Sequence, residues 1–506
     1  MPFWLVGLSA VLSALAHPPL SWWWLILIAP APLLGVLSGK SMRVGFGIGW
    51  WWGFTYGLLV GFPLTYLINL QTGSFWLTMA GWVAVAGLSA LFWGLFGVVA
   101  SRMPQNTWLG WLGVAAAWTL CQWLRGLGPF AFVWGHFAVA LYRVPPLLQI
   151  ADIVGTWGVE FLIALWNTLL GALLLAIFRN DASHAPSPVA FWWVCLALGY
   201  SIGRGWSIGA IKGETVSVTI VQPNVDLARA YSPSEWVPIR QQIAELVQQA
   251  HKGGPDLIVL PESLEPYPMP DSREAFEFWQ QLAESGRVNL LVGGYRIGDP
   301  MTRQYTNTAH LFAATGKWQY HDKVQLVPLG EAVPLRDYLP FLRAFGVVER
   351  DLLPGRSLKP LEVDPMRIGV VICMESTYPW IARGLVREGA NMLVVLSNES
   401  WFGRTAALEQ HLAFCVLRAI ETRRYVVRCA PQGISAIIKP DGKIVRLPPF
   451  ERVINQQEIT LQTELTPYVR WGDWIVGVSG VLVALGWLMG ARRRAWSVFD
   501  DRPAAT

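Results

Sequence analysis

The 506-residue sequence has little charge for its length, and that charge is unevenly distributed. Asp, Glu, Lys and Arg make up 14% of the residues, against about 25% in ordinary soluble proteins, while hydrophobic residues make up 53%. Residues 1–206 contain only ten charged side chains, whereas residues 207–470 contain 28 basic and 28 acidic ones. This pattern excludes a disordered chain and a purely soluble protein, and it predicts a polar domain within a membrane protein.

The sequence also lacks the cysteine patterns that are typical of disulfide frameworks and zinc sites. None of its five cysteines belongs to a CxxC pair or lies at zinc-ligand spacing from a histidine. No basic stripe lies on the 207–470 block, so the net charge of +5 does not indicate nucleic-acid binding. We therefore expect no structural metal and no nucleic-acid partner.

Long apolar runs are abundant instead, and about 20 such residues are enough for a helix to cross a bilayer. Seven spans are predicted before the polar block and one after it, at 3–16, 20–38, 46–70, 75–101, 107–126, 156–178, 187–205 and 471–491. The stretch 127–155 is apolar but interrupted by Gly and Pro, which favours a re-entrant or interfacial segment. Asp152 and Glu160, at the edge of the sixth span, are expected to be solvated at the membrane surface.

The positive-inside rule predicts a cytoplasmic N-terminus. The short loops on the cytoplasmic side then carry Lys40, Arg43, Arg102 and Arg179. Arg125 and Arg143 deviate from the pattern. The sequence therefore predicts a bacterial inner-membrane protein in three parts: an N-terminal membrane domain of about seven helices (1–206), a periplasmic domain (207–465), and a C-terminal transmembrane helix with a basic cytoplasmic tail (466–506).

The polar domain alternates short β-rich runs with polar, periodic helical stretches, which predicts an α/β fold. Several strands are continuously apolar, such as LIVL at 257–260 and IGVVIC at 368–373, as expected for strands covered on both faces. Strands are predicted at 215–222, 256–261, 288–295, 308–313, 367–373, 391–397, 425–430 and 434–439. Helices are predicted at 233–252, 272–285, 377–388 and 406–423.

Reactive side chains follow three of these β-rich runs. Glu262 follows the run 257–260, Lys323 and Glu331 follow the run near 320, and Cys373 ends the run 368–373. Because functional groups of α/β sheets gather beyond the carboxyl ends of strands, we expect these side chains to converge. Each of them alone fits an ordinary structural role. Together they predict acyl transfer, in which a base takes the thiol proton and a cation stabilises the oxyanion.

At these positions the sequence resembles the nitrilase, or carbon-nitrogen hydrolase, superfamily, whose Glu-Lys-Cys triad lies on an αββα sandwich. With the predicted membrane spans it is similar, more narrowly, to the bacterial apolipoprotein N-acyltransferases. The supporting stretches include VQPN at 221–224, YTN at 305–307, LVPLGEAVPL from 326, SNESWFG at 397–403 and RAIE at 418–421.

The resemblance implies that Cys373 takes a fatty acyl group from a phospholipid, typically phosphatidylethanolamine, as a thioester. The acyl group then passes to the α-amino group of a diacylglyceryl-cysteine on an apolipoprotein. Glu262 is implied as the general base, Lys323 as the oxyanion stabiliser, and Glu331 as a carboxylate that orients Lys323 and the thiol. This ping-pong scheme implies no metal and no cofactor, and we expect the protein to act as a monomer among membrane lipids.

Residues beside these motifs are expected to contact the substrates, namely Tyr231, Met374, Glu375, Asn398, Trp401 and Phe402. Trp401 and Phe402 fit either a mobile apolar lid or core packing. The segment 334–354 mixes apolar and charged residues, and fits either an arm in the lipid headgroup layer or an ordinary surface helix.

The sequence departs from the family pattern at several positions outside the triad. Leu260 and Tyr231 stand where Trp is usual, Met374 where Tyr is common, and Pro223 where Gly is usual. These departures bear on acyl-chain preference and on the lid, but they remove no catalytic group.

Two other functions fit parts of the sequence. A membrane-tethered amidase would use the same triad on small amides, but the long membrane region is then hard to explain. A catalytically silent scaffold for a partner enzyme, such as a polyprenol-phosphate mannose synthase, would explain the membrane region. The intact set of Glu262, Lys323 and Cys373 argues against that silence.

Overall fold

The computed structural model describes residues 4–37, 39–104, 106–182, 185–207, 213–229, 232–336, 338 and 351–500. The chain divides into two compact units. We call the first, which comprises Met1–Ile68, Ser74–Gly205 and Asp473–Thr506, the membrane unit. The second comprises Asn69–Gly73 and Trp206–Gly472 and is called the α/β unit.

The apolar parts of the chain are helical. Their α-helices are α1 (Trp4–Leu15), α2 (Ala31–Leu37), α3 (Met42–Val60), α4 (Thr65–Thr72), α5 (Phe75–Ala100), α6 (Trp108–Leu124), α7 (Phe137–Ala140), α8 (Ala151–Arg179), α9 (Pro188–Ser207) and, at the C-terminal end, α15 (Trp474–Asp500). Among the described residues, three helices are long and apolar enough to cross a membrane by themselves: α5, α8 and the Trp474–Arg492 part of α15. A bent pair, Met42–Val60 with Phe62–Thr72, is a fourth candidate with a 54° bend. The structure thus has a membrane region, and the count of eight spans stays a prediction.

The segment 127–155 is irregular, in agreement with its Gly and Pro content. It contains the four-residue helix α7 and a short 3₁₀ helix at Pro145–Leu148. Helix α8 begins at Ala151, five residues before the predicted span at 156. Gly155 has φ of +67° and kinks this helix near its start. A residue with a Cβ adopts this backbone conformation less readily than glycine does.

Asp152 and Glu160 are both fully buried, so the expectation of surface solvation is wrong. Glu160 accepts hydrogen bonds from Trp118 Nε1 at 3.0 Å and from the backbone N–H of Ala138 at 2.7 Å. The carboxylate of Asp152 lies 3.0 Å from the guanidinium of Arg204. A buried carboxylate without partners is costly, and partners from distant segments stabilise these two.

The α/β unit is built on two six-stranded sheets. The first has the order β12-β1-β2-β3-β4-β5, and the second has the order β11-β10-β9-β8-β7-β6. The strands are β1 (Thr215–Gln222), β2 (Leu257–Val259), β3 (Asn289–Asp299), β4 (Gln304–Phe312), β5 (Trp318–Asp322), β6 (Leu361–Val363), β7 (Met366–Ile372), β8 (Met392–Leu396), β9 (Val426–Cys429), β10 (Ala436–Ile438), β11 (Ile444–Arg446) and β12 (Val453–Thr460). Each sheet has a parallel core, formed by β1, β2 and β3 in the first and by β7, β8 and β9 in the second.

Helices cover the outer faces of the two sheets. Helices α10 (Pro233–His251) and α11 (Arg273–Gly286) pack on the first sheet, and α12 (Pro379–Arg387) and α13 (Ala407–Thr422) pack on the second. The inner faces meet at Cys429, whose Sγ lies 3.5 Å from the carbonyl oxygen of Val221 and 3.4 Å from that of Val259. A short helix, α14 (Pro467–Trp471), ends the unit. This αββα arrangement confirms the predicted α/β fold.

Candidate active site

Cys373 lies in the sharp turn that follows the parallel strand β7. Its backbone has φ of +56°, in the left-handed region that residues with a Cβ rarely occupy, and the 3₁₀ helix Cys373–Thr377 begins at this residue. The residue is 8% exposed, and the hydroxyl of Ser397 donates to its Sγ at 3.8 Å. Ser397 directly follows β8, so the thiol lies at the carboxyl end of the parallel core, where α/β sheets bind their ligands.

Glu262 follows strand β2 and is almost fully buried. Its Oε2 accepts the backbone N–H of Asn398 at 2.5 Å, and its Oε1 accepts the side-chain amide of Asn307 at 2.8 Å. The backbone of Glu262 also packs tightly on Gly293 in β3, because a Cβ built at that glycine would lie 2.5 Å from Glu262 Cα. The carboxylate is therefore held from both sheets.

Lys323 directly follows β5, and its side chain is fully buried. Its Nζ lies 2.8 Å from Oε1 of Glu331 and 3.4 Å from Oε1 of Glu262. Burial alone disfavours the ammonium form, but the Glu331 and Glu262 carboxylates outweigh it and raise the pKa of Lys323 well above its ordinary value. Lys323 is thus a permanent cation at neutral pH.

Glu331 lies on the loop after Lys323 and is fixed at both carboxylate oxygens. Its Oε2 accepts the backbone N–H of Val327 at 2.9 Å, while its Oε1 is shared by Lys323 and Asn307. The amide of Asn307 therefore bridges the two carboxylates, at 2.8 Å from Glu262 and 3.0 Å from Glu331. Asn307 lies in the YTN stretch that supports the family resemblance, but no role was predicted for it, because its bridging contacts join segments that are distant in sequence.

The thiol of Cys373 is protonated in this resting arrangement. Burial raises the pKa of Cys373 far above its ordinary range, the Glu262 carboxylate raises it further, and Lys323 only partly counteracts them. Two carboxylates and one ammonium leave a net negative charge beside the sulfur. A nucleophilic sulfur consequently requires a base that removes its proton during the attack.

Glu375, two residues after the cysteine, is fully buried and engaged by the backbone. Its Oε1 accepts the N–H groups of Val324 at 2.6 Å and Gln325 at 3.0 Å, and its Oε2 accepts that of Ile372 at 2.8 Å. Burial raises the pKa of Glu375 to about 7, and the backbone donors oppose this increase. The carboxylate therefore ties the segment after Lys323 to the strand before Cys373.

The remaining predicted substrate contacts lie in different environments. Met374 and Asn398 are buried beside the triad, and Asn398 contributes its backbone N–H to Glu262. Phe402 is buried with its ring 5.8 Å, edge to face, from that of His411, which agrees with core packing. Trp401 is partly exposed. Tyr231 lies outside the described residues, as does most of the segment 334–354.

Within the part of the chain that the structure describes, no group of three or more His, Cys, Asp or Glu side chains is arranged to hold a metal ion. The chemistry that the arrangement supports is nucleophilic substitution at a carbonyl. The sulfur attacks, a carboxylate relays the proton, and a buried ammonium stabilises negative charge on oxygen.

Comparisons with known proteins match both parts of the chain. The family model described as "Apolipoprotein N-acyltransferase N-terminal domain" matches residues 9–169, and the one described as "Carbon-nitrogen hydrolase" matches residues 217–465. An apolipoprotein N-acyltransferase of Geobacter metallireducens is 31% identical over 94% of this chain and 93% of its own length. One of Azotobacter vinelandii is 31% identical, with 97% and 95% covered. The chain therefore belongs to the apolipoprotein N-acyltransferase family, as its motifs predicted.

Proposed function

We propose that this protein transfers a fatty acyl group from a membrane phospholipid to the N-terminal amino group of a diacylglyceryl-cysteine in apolipoproteins. Family membership makes it an N-acyltransferase, which confirms the predicted enzyme class. The observation that carries the catalytic assignment is the buried ion-pair cluster in which Lys323 contacts both Glu262 and Glu331 beside the Cys373 thiol.

In the first half-reaction, Sγ of Cys373 attacks the ester carbonyl of the phospholipid while Glu262 takes the thiol proton. Lys323 stabilises the oxyanion of the tetrahedral intermediate. The intermediate collapses to a thioester as the C–O bond to the glycerol breaks, and Glu262 returns the proton to the departing lysophospholipid. Glu331 and the Asn307 amide hold Lys323 and Glu262 in place throughout.

In the second half-reaction, the lipoprotein α-amine attacks the thioester. Glu262 takes a proton from the amine, Lys323 again stabilises the oxyanion, and the C–S bond breaks to leave an amide. The thiol of Cys373 regains its proton from Glu262. Because a thioester is hydrolysed by water, the low exposure of Cys373 protects the intermediate between the two half-reactions.

The substrate contacts follow from the positions of residues beside the triad. We assign Met374, Trp401 and Phe402 to the walls of the acyl site, with Trp401 as the part that moves, and we propose Tyr231 as a further substrate contact from its place in the sequence. Asn398 acts through its backbone N–H on Glu262. Glu375 acts on the substrates indirectly, since its carboxylate is occupied by three backbone donors.

The cellular setting is proposed from the charge pattern and the apolar helices. We place the protein in the bacterial inner membrane as a monomer with eight spans, with its N-terminus in the cytoplasm and residues 207–465 in the periplasm. The flanking domains then comprise residues 1–206 and 466–506. The acyl donor is phosphatidylethanolamine.

The test is an acyl-enzyme trap on the full-length protein in detergent or vesicles. Incubation with phosphatidylethanolamine labelled in its acyl chains is expected to give a protein adduct that neutral hydroxylamine removes. Cys373→Ser is expected to abolish the adduct, and Cys415→Ser, in which another buried thiol is replaced, is expected to retain it. An adduct that persists in Cys373→Ser, or lipoprotein N-acylation by that variant, would refute the proposal.

A further inference from the structure

A second buried polar cluster lies directly behind the nucleophile, on the side of helix α13. The side chain of His411 in this helix is fully buried. Its Nε2 lies 3.1 Å from the carbonyl oxygen of Cys373 and 3.0 Å from Oγ of Ser376. No step of the proposed reaction uses this histidine, yet it contacts the backbone of the residue that reacts.

The other ring nitrogen of His411 is held by a buried ion pair. Its Nδ1 lies 2.9 Å from Oε1 of Glu399 and 2.9 Å from NH2 of Arg428, and the same NH2 donates to Glu399. Glu399 Oε2 also accepts the backbone N–H of Ile434 at 2.8 Å. Each of these side chains is fully buried, so the imidazole has a fixed position and ring orientation.

The contact with the nucleophile requires a donor on the ring. A carbonyl oxygen only accepts hydrogen bonds, so the contact with Cys373 requires a proton on Nε2. Nδ1 lies between a group that only donates, the guanidinium of Arg428, and a group that only accepts, the carboxylate of Glu399, and both contacts hold the ring in place. His411 therefore donates from Nε2 to the carbonyl group of the nucleophile.

This donation has a consequence on the other side of the peptide. The peptide group between Cys373 and Met374 is planar, and its C=O and N–H point in opposite directions. When His411 holds the carbonyl oxygen on the α13 side, the N–H of Met374 is held on the opposite side. Because Cys373 has a left-handed backbone conformation, which is strained for this residue type, that peptide needs such an external restraint.

We propose that His411 is a positioning residue that orients the Cys373–Met374 peptide, so that the N–H of Met374 donates to the substrate oxyanion together with Lys323. Glu399 and Arg428 in turn fix the position and orientation of the ring. This inference rests on the proposed acyl-enzyme chemistry at Cys373 and assigns a place in it to a cluster outside the triad.

Two substitutions of His411 distinguish the contributions of its two ring nitrogens. The amide nitrogen of His411→Gln can take the place of Nε2 and still donate to Cys373. In His411→Asn the amide reaches only the position of Nδ1, so the bond to the Cys373 carbonyl is lost. Acyl-enzyme formation from labelled phosphatidylethanolamine is expected to fall about 100-fold or more in His411→Asn, as for the loss of one oxyanion donor, and less than about tenfold in His411→Gln.

Alkylation of Cys373 by iodoacetamide distinguishes a positioning role of His411 from a merely structural one. If the role were merely structural, the substitution would lower the alkylation rate and the acylation rate together. Displacement of iodide by the sulfur forms no oxyanion, so it needs the thiol but not the Met374 N–H. The alkylation rate of His411→Asn is expected to stay within about threefold of the wild-type rate while its acylation rate falls about 100-fold. The matched control is His310→Asn, which replaces another fully buried histidine, in β4, and is expected to retain acylation.

Each outcome decides the inference. Equal losses of alkylation and acylation in His411→Asn would refute it, because they would mean a general distortion of the site. Acylation that is as fast in His411→Asn as in His411→Gln would also refute it, since the Nε2 donor would then be dispensable. If the wild-type protein itself forms no hydroxylamine-labile adduct, the proposed function fails, and this result is distinct from the other two.

Discussion

The Nζ atom of Lys323 lies 2.8 Å from Oε1 of Glu331 but 3.4 Å from Oε1 of Glu262. The shorter contact shows that the ammonium pairs mainly with Glu331. The other oxygen of Glu331 accepts the backbone N–H of Val327. Glu262 is thus the more distant of the two carboxylates from the cation, and its Oε2 accepts the backbone N–H of Asn398 instead. The two carboxylates therefore differ in their contacts, although both lie beside the same lysine.

Glu262→Gln is expected to lower the rate of acyl-enzyme formation by about 10²- to 10⁴-fold, the usual contribution of a general base. The amide oxygen of Gln still accepts one of the existing hydrogen bonds, so the thermal unfolding temperature is expected to change little. Labelled phospholipid and hydroxylamine release measure the rate. Glu274→Gln, an exposed carboxylate of the same unit, is the control with wild-type activity. Near wild-type acylation in Glu262→Gln would exclude Glu262 as the base.

Glu331→Gln is expected to reduce acylation less than Glu262→Gln does. The Glu331 carboxylate is the main charge that raises the pKa of Lys323 against burial, so its removal lowers that pKa. The pH profile of acylation is then expected to lose activity at alkaline pH, where Lys323 gives up its proton, before the wild-type profile does. A variant that is as inactive as Glu262→Gln at every pH would contradict this division of roles.

The reactivity of the Cys373 thiol tests the charge balance of the site. Because burial and Glu262 raise the thiol pKa, alkylation of Cys373 by iodoacetamide is expected to keep increasing above about pH 9, where an ordinary thiol with pKa near 8.5 levels off. Lys323 lowers the thiol pKa, so Lys323→Met is expected to slow alkylation further at a given pH. Signal that remains in Cys373→Ser gives the background from other cysteines. A profile that levels off below pH 8 would mean a thiolate in the resting site.

The sequence predicts the interior of the α/β unit better than its borders. The eight predicted strands and the four predicted helices all correspond to observed elements. The four strands for which no bounds were predicted, β5, β6, β11 and β12, are the edges of the two sheets. An edge strand is covered on fewer sides, so its residues need not be apolar, and the β12 sequence VINQQEIT lacks the continuous apolar run of β8.

The residues of the site could be predicted from the sequence only where a reactive side chain follows the end of an apolar strand. Glu262 and Cys373 follow apolar runs, and their convergence follows from the parallel cores of the sheets. The bridging contacts of Asn307 and the position of His411 behind Cys373 depend on pairing between segments that are distant in sequence. Local patterns contain no information on such pairings. The same limitation explains the error at Asp152 and Glu160, whose partners come from other helices.

Glu375→Ala is expected to impair catalysis by loosening two segments at once. The substitution removes the common acceptor of three backbone N–H groups, two just after Lys323 and one just before Cys373. An unsatisfied buried donor costs about 1–3 kcal/mol, so the unfolding temperature is expected to fall. Glu375→Gln retains one acceptor oxygen and is expected to lie between Glu375→Ala and the wild type in both stability and acylation rate. Loss of acylation with unchanged stability in Glu375→Ala would instead mean that its carboxylate contacts a substrate directly.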